Sequence, residues 1–361
     1  MKILLLINSL SAGGAEVFIT DLALELKSCG HTIEMYTYAG VLDSRGQQLK
    51  KSLERGDIKH HSGRGGLFKK ILQLRMVIRS FKPDIIHSNL EQSDTLLLAA
   101  SFITFHKSGW IRTLHSEYAT QKIPKLLHKL LSVRFNKTIY CSKSSEEKYP
   151  FPGRNSATIE NGISKPCITP ATLSSPNKNI TQFINIGSFH IRNGVLPKAQ
   201  DIIIDAIKLI EHLNFEVVFV GGGAELNKLT EMARTKHIAH KCNFIGIHDH
   251  PVTLLQQADV FLLPSRFEGM PISCLEAIGC AKPMLLSDIP SLKRFNTECT
   301  LYCAPENPES LAKKMQEFIE NKDELIEKSK SIMATEFVKY SIKECANKYL
   351  NQYSNILNLN S

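Results

Sequence analysis

Phe261-Leu-Leu-Pro-Ser-Arg-Phe-Glu268-Gly-Met-Pro-Ile-Ser-Cys-Leu-Glu276-Ala-Ile-Gly-Cys-Ala-Lys-Pro283 reads as a buried strand, a Gly/Pro-containing loop and a helix that opens near Pro271 or Ile272. Proline is tolerated in a first helical turn, because its missing donor would be free there anyway. The amides of Gly269, Met270 and Ile272 then lie exposed at a helix start, where the backbone dipoles favour an anion. Glu268 precedes that position and Glu276 follows about a turn into the helix. Two carboxylates flanking an anion-binding helix start suit a ligand with hydroxyls at both ends and phosphate between them. A nucleotide sugar has that layout.

The same strand–loop–helix unit recurs on both sides of this stretch. Towards the N-terminus of the second half, apolar runs occur at Gln182–Ile186, Glu216–Val220 and Asn243–Ile245, then Val260–Leu263, with Pro283–Leu285 beyond. Helical-period segments such as Ala199–Leu213 and Ala224–Thr235 separate them. The first half repeats the pattern with runs at Lys2–Ile7, Thr32–Tyr38, Asp84–His87, Trp110–Leu114 and Thr138–Tyr140, and amphipathic stretches at Val17–Ser28 and Leu67–Phe81. Alternation of this kind predicts an α/β protein with parallel sheets. Ala171–Lys178 reads as a polar, Pro-containing linker, after which the pattern restarts. The expectation is two tandem Rossmann-like doubly wound domains facing a central cleft. An N-terminal domain would cover 1–172 and a C-terminal one 180–340. The remaining stretch, 341–361, reads as a helix with Tyr349 and Tyr353 four apart, placed across the domain junction.

The bulk properties agree with a folded protein. At 361 residues the chain is long enough for two domains, and 43% hydrophobic with 22% charged residues is ordinary. Ile3–Ile7 is too short for a signal peptide and leads into Gly13-Gly14-Ala15-Glu16, so a first buried strand fits better. Thr95–Thr104 is apolar over about half a membrane span, which reads as a core helix. The nine cysteines are scattered, which argues for reduced thiols in a cytoplasmic protein. Charge is uneven: residues 1–175 carry 24 Lys and Arg against 14 Asp and Glu, whereas residues 176–361 carry 20 against 21. An anionic partner for the first half, or a solvated basic face, accounts for this.

The E-x(7)-E spacing of Glu268 and Glu276, followed by Gly-x-x-x-Pro, resembles the C-terminal signature of family 4 retaining glycosyltransferases of the GT-B fold. The resemblance implies that Glu268 lies beside the donor sugar and Glu276 bonds the ribose hydroxyls, with Gly269, Met270, Pro271 and Ile272 around the donor. Gly187-Ser188-Phe189 closes a strand as Gly-Arg-Leu does in the family, and Lys198-Ala-Gln-Asp201 resembles its Lys-Gly-x-x. Lys198 would neutralise the departing diphosphate. Ser188 stands where the family carries an arginine, and Arg192, in a longer loop, is the candidate substitute. Val220-Gly221-Gly222-Gly223 matches the family's Gly-x-Gly turn, and the loop at Ile247 resembles the one whose backbone reads the base. Gly13 and Gly14 follow the opening strand as a loop where a backbone can approach a ligand closely; the resemblance implies that this loop lies over the donor phosphate, with Gly14 as a donor contact, and over the acceptor. Asp84-Ile-Ile-His87 and Arg112-Thr-Leu-His115 each end a strand with a histidine at the cleft edge, and His115 resembles the family's active-site histidine. Asn161-Gly162-Ile163 matches its Asn-Gly-[Val/Ile] turn.

The resemblance further implies a nucleotide sugar, a UDP-sugar, as co-substrate, with no cofactor and no metal. No D-x-D motif is present, and His248-Asp249-His250 are adjacent loop residues that seldom face one ion. The acceptor would be a hydroxyl of a saccharide or lipid-linked saccharide in surface-polysaccharide or glycolipid synthesis. Two basic segments, Arg64–Lys82 and Lys122–Lys137, mix Lys and Arg with Leu, Ile and Phe, and suit peripheral contact with an anionic membrane. Two other readings stay open: a nucleotide-sugar 2-epimerase of the same fold, which needs no acceptor, and a non-catalytic nucleotide-sugar-binding protein, prompted by Ser188. No nucleic-acid partner is expected, since no aromatic-basic motif of a known reader is present.

Overall fold

The computed structural model describes residues 1–101, 107–115, 131, 133–148, 155–164 and 180–360. The chain divides into two compact units, residues 1–164 with 340–361, and residues 165–339. The linker expected at Ala171–Lys178, the end of the apolar stretch Thr95–Thr104 and most of Lys122–Lys137 lie outside the described residues.

In the first unit the apolar runs become strands β1 (Lys2–Ile7), β2 (Thr32–Thr37), β3 (Lys59–Ser62), β4 (Ile85–Asn89), β5 (Gly109–Leu114), β6 (Lys137–Tyr140) and β7 (Ser156–Thr158). They form one sheet in the order β3-β2-β1-β4-β5-β6-β7, and every pairing is parallel. β4 and β5 are buried along their whole length, as a sheet covered on both faces requires. Helices α1 (Gly14–Ser28), α2 (Ser44–Arg55), α3 (Leu67–Phe81), α4 (Glu91–Ser101) and α5 (Lys143–Lys148) connect the strands. Leu74, Val77, Ile78 and Phe81 of α3 join Leu4, Leu6, Ile86 and Trp110 in one core cluster.

The second unit contains β8 (Thr181–Ile186), β9 (Phe215–Val220), β10 (Cys242–Gly246), β11 (Val260–Leu263), β12 (Met284–Ser287) and β13 (Thr300–Cys303), again all parallel, in the order β10-β9-β8-β11-β12-β13. Its helices are α6 (Gln200–Leu209), α7 (Leu226–Thr235), α8 (Pro251–Gln257), α9 (Ile272–Gly279), α10 (Pro308–Glu320) and α11 (Lys322–Lys339). Phe183 packs edge-on against Phe215 and Phe318 with centroids 5.9 and 5.7 Å away. Each ring of this size contributes about 1.5–3 kcal/mol by leaving water.

The final helix, α12 (Ile342–Asn360), is part of the first unit, against α1 and β5. Tyr349 and Tyr353 are fully buried, and their hydroxyls bond Thr113 Oγ1 (3.0 Å) and His87 Nδ1 (2.7 Å). The Asn161-Gly162-Ile163 turn fixes where α12 begins: Ile163 N donates to Tyr340 O and Ile342 N donates to Ile163 O.

In both sheets the strand order reverses at one point, between β1 and β4 and between β8 and β11. Crossover helices leave in opposite directions there, which opens a crevice beyond the carboxyl ends of the strands. Functional side chains are therefore sought at the ends of β1, β4, β8 and β11.

Candidate active site

At the switch point of the second unit, Lys198 and Glu268 meet. Lys198 Nζ lies 2.5 Å from Glu268 Oε1, and Ser265 Oγ donates to the same oxygen at 2.7 Å. Glu268 is 9% exposed, so its charge depends on these partners. The stem of Lys198 crosses Gly187, at the end of β8, where a Cβ would fall 2.8 Å from Lys198 Cγ. Ser287 Oγ, at the end of β12, donates to Ser265 O and holds the turn that presents Glu268.

Sequence reasoning passed over Arg266, which joins the two segments that carry this pair. Its Nη1 and Nη2 each donate at 2.8 Å to one oxygen of Asp201, Nη1 also donates to Leu196 O, and its backbone N donates to Pro197 O. A third carboxylate, Glu306, accepts from Nε at 2.9 Å. A planar guanidinium with two parallel bonds fixes orientation as well as distance. The only sequence signal was its place between Ser265 and Glu268.

Helix α9 opens at Ile272 with Pro271 as its N-cap, as the sequence led us to expect. Gly269, Met270, Pro271 and Ile272 are all buried, together with Glu276, which is 7% exposed. Arg294, another residue the sequence did not single out, brings Nη1 to 3.9 Å from the Met270 sulfur.

The glycine turns interlock beside this site. Phe189 N donates to Gly222 O and Glu225 N donates to Phe189 O. Gly221 and Gly223 have φ of 142° and 156°, and a Cβ at Gly221 would fall on Gly187 O. Only glycine meets both demands. Ile247 is 43% exposed and lies over Gly222. Ser188 is half-buried, and its carbonyl accepts from Gln200 Nε2 at 3.4 Å. Arg192 is exposed and pairs through its backbone with Val195 across Asn193-Gly194, whose φ of 52° and 80° make a tight hairpin. Its guanidinium has no partner among the described residues.

In the first unit His115 follows β5. Its Nε2 lies 2.9 Å from Asn89 Oδ1, at the end of β4, while Asn89 Nδ2 donates to the Leu6 and His87 carbonyls. Those carbonyls fix the amide orientation, so Nε2 carries the proton and Nδ1 keeps its lone pair. Nδ1 is buried and has no partner among the described residues. Burial lowers the His115 pKa to about 4, so the ring is neutral at pH 7 and Nδ1 is a hydrogen-bond acceptor.

Two acceptor-side expectations are corrected. β4 runs on to Asn89, so His87 is a mid-strand residue, fully buried, with Nδ1 paired to Tyr353 and Nε2 to Thr113 Oγ1 at 2.8 Å. Both nitrogens are used inside the core, and burial lowers its pKa to about 3. His87 braces α12 against the sheet. Gly13 and Gly14 are not an open loop: Gly13 is the N-cap of α1 and Gly14 its first residue. The Glu16 carboxylate folds back over Gly13 and accepts from Ser11 Oγ, so the helix start already faces a negative charge. Among the described residues no three His, Cys, Asp or Glu side chains converge on a metal-binding geometry.

Two doubly wound parallel units in tandem make the fold of a GT-B glycosyltransferase. Residues 12–165 match the family model described as Glycosyltransferase Family 4, and residues 188–335 match the model described as Glycosyl transferases group 1. The chain belongs to this family of retaining glycosyltransferases. It is 26% identical to the O-antigen biosynthesis glycosyltransferase WclY of Escherichia coli over 373 residues, covering 99% of each chain. Its fold is shared with a glycosyltransferase of Rickettsia africae (TM-score 0.79, 18% identity, 99% of this chain and 98% of that one). Anabaena Alr3699/HepE, solved in complex with UDP-glucose, gives a TM-score of 0.81 at 18% identity, over 98% of this chain and 100% of that one.

Proposed function

We propose that this enzyme moves a hexose-type sugar from a UDP-sugar to a hydroxyl of a saccharide or lipid-linked saccharide, keeping the anomeric configuration. The observation that carries the reading is the Lys198–Glu268 pair at the switch point, next to the start of α9. As the sugar–phosphate bond breaks, charge builds on the diphosphate while the sugar becomes oxocarbenium-like. Lys198 and the amides at the start of α9 meet the first charge, with Arg192 as a further cation, and Glu268 orients the sugar. Preorganised donors of this kind contribute about 3–4 kcal/mol each to the barrier lowering. Glu276 bonds the ribose, Ile247 lies against the base, and His115 Nδ1 accepts a hydrogen bond from a sugar or acceptor hydroxyl. Because basic side chains and a helix start meet the leaving charge, no metal is needed.

Support for UDP comes from the HepE complex, and support for a surface-polysaccharide acceptor comes from WclY. No helix among the described residues is long and apolar enough to cross a membrane. We place the enzyme on the cytoplasmic side, in peripheral contact with an anionic membrane through its basic N-terminal unit. The test is thermal stabilisation by UDP-, GDP-, ADP- and dTDP-sugars in EDTA, for the wild type and Glu276→Ala. A shift with UDP-sugars that the variant loses supports the reading. A shift with another base corrects the donor, and no shift from folded protein removes the assignment.

A further inference from the structure

The carboxyl end of β4 is held more tightly than a strand end needs. Asn89, its last residue, is fully buried. Its Nδ2 reaches across the switch point of the first sheet to Leu6 O on β1 at 3.3 Å, and back to His87 O at 3.4 Å. Beyond it, Asn8 Oδ1 accepts from Ser93 N and Ser93 Oγ, each at 3.1 Å, which ties the first turn of α4 to the end of β1. Between these clamps Leu90 turns the chain out of the sheet with a φ of 74°, in the left-handed region that leucine rarely enters. Such a conformation persists only where the surroundings over-determine it.

What the clamp leaves over is Asn89 Oδ1, and that atom accepts from His115 Nε2 at 2.9 Å. An amide donates from one atom and accepts at the other without carrying charge, whereas an ionised carboxylate has no donor for the two carbonyls. The His115 ring also meets Phe18 of α1, with centroids 5.3 Å apart, and Tyr349 of α12 stands 6.1 Å from Phe18. The titratable groups near the ring on the described elements are His87 of β4 and Tyr349, both held neutral by burial, while Glu16 of α1 is turned to Ser11. We propose that Asn89 is a positioning residue: it holds His115 in the tautomer whose free nitrogen is an acceptor, so the group bound there has to be a hydrogen-bond donor such as a hydroxyl. This rests on the reading of His115 as a site residue. It assigns the property that makes the ring useful to a side chain that is itself out of a ligand's reach.

Nitrogen NMR of the full chain with isotope-labelled histidine tests this, together with kcat against pH for the donor found in the thermal screen. His115→Gln assigns the His115 signal. The wild type should show the Nε2–H tautomer alone. Asn89→Ala should show both tautomers and lose about tenfold in kcat, the scale of one hydrogen bond, equally at each pH. Asn89→Asp sets a carboxylate against Nε2–H, which draws a second proton onto Nδ1 and turns the acceptor into a donor. Its kcat should fall by about tenfold or more at pH 7, and the loss should shrink as pH rises and Nδ1 is freed. Asn89→Ala carries the test where the buried carboxylate prevents folding. Both variants should keep the nucleotide-sugar thermal shift, because Lys198, Glu268 and Glu276 belong to the second unit. A single Nε2–H tautomer with full kcat in Asn89→Ala overturns the inference, as does a loss in Asn89→Asp that does not change with pH. Full activity of His115→Gln overturns the reading beneath it as well, so the two failures are told apart.

Discussion

Lys198 and Glu268 come from opposite sides of the switch point in the second sheet, one after β8 and one after β11, and meet at 2.5 Å. The pair is 19% and 9% exposed, so each charge depends on the other. On the proposed reading, a donor diphosphate would compete with Glu268 for Lys198 and free the carboxylate to take sugar hydroxyls.

Glu268→Gln keeps the shape and removes the charge. It is expected to leave nucleotide binding within about threefold and to lower kcat by roughly 10²–10³, the range seen when one preorganised group is lost. Lys198→Ala should lower kcat by a similar factor and weaken binding of the nucleoside diphosphate as well. Steady-state kinetics with the donor found in the thermal screen separate the two. A Glu268→Gln enzyme with unchanged kcat would remove Glu268 from the site.

Arg266 sets the distance between those two residues. Its fork on Asp201 and its bonds to Leu196 and Pro197 tie the Lys198 loop to the Glu268 turn. Arg266→Gln and Asp201→Asn should each lower kcat by about tenfold or more, with KM for the acceptor nearly unchanged. Because the fork lost in Asp201→Asn is also lost in Arg266→Gln, the double variant should cost little more than Arg266→Gln alone, with a coupling of about 1–2 kcal/mol. Additive losses would show that the fork does not act as a unit.

The sequence made the switch-point geometry legible where local chemistry repeats. Short apolar runs alternating with helical-period segments marked the buried strands, and Pro271 marked the start of α9. It hid what depends on long-range pairing. β3 is Lys-His-His-Ser, a polar edge strand with no apolar run, and it exists because β2 lies beside it. Arg266 and Asp201 are 65 residues apart, and nothing near either predicts the other. His87 and His115 both sit near a strand end in the sequence, yet one more pair of residues in β4 puts His87 inside the core. The same local pattern thus gave one buried brace and one candidate site residue.

The interlock of the glycine turns predicts a strong position effect. Gly221→Ala adds a Cβ on the carbonyl of Gly187 at a φ of 142°, which L residues rarely adopt. Relief requires both turns to move, and Gly187 carries Lys198 across it. The variant should lose about 2–4 kcal/mol of stability in the second unit and lose donor stabilisation even where it remains folded. Gly194→Ala, at a φ of 80° but with open space around it, should cost about 1 kcal/mol and keep donor binding. Thermal melts with and without donor distinguish the two. Equal effects would mean that the φ alone, not the contact with Gly187, sets the cost.

Acidification should unfold the N-terminal unit first. Burial lowers His87 to about 3 and His115 to about 4, from 6.5 in the unfolded chain. Below pH 6.5 the unfolded chain therefore takes up protons that the folded one refuses. The stabilisation is complete above that pH and is lost as pH falls towards the folded values. At pH 5 each histidine costs about 2 kcal/mol. Asp94 works the other way: burial raises it to about 6, so the folded state protonates first and recovers about 1 kcal/mol by pH 5. For these three groups the balance is a loss of about 3 kcal/mol between pH 7.5 and pH 5, and His60 of β3, lowered to about 4 by burial, adds to it. Trp110, the single tryptophan, is buried in β5 and reports on this unit alone in urea unfolding. In His87→Gln the amide can still bond both hydroxyls but cannot titrate. Its pH-dependent loss should shrink by about 2 kcal/mol even though its stability at pH 7.5 is lower. An unchanged pH slope in that variant would mean that His87 takes up its proton within the folded protein.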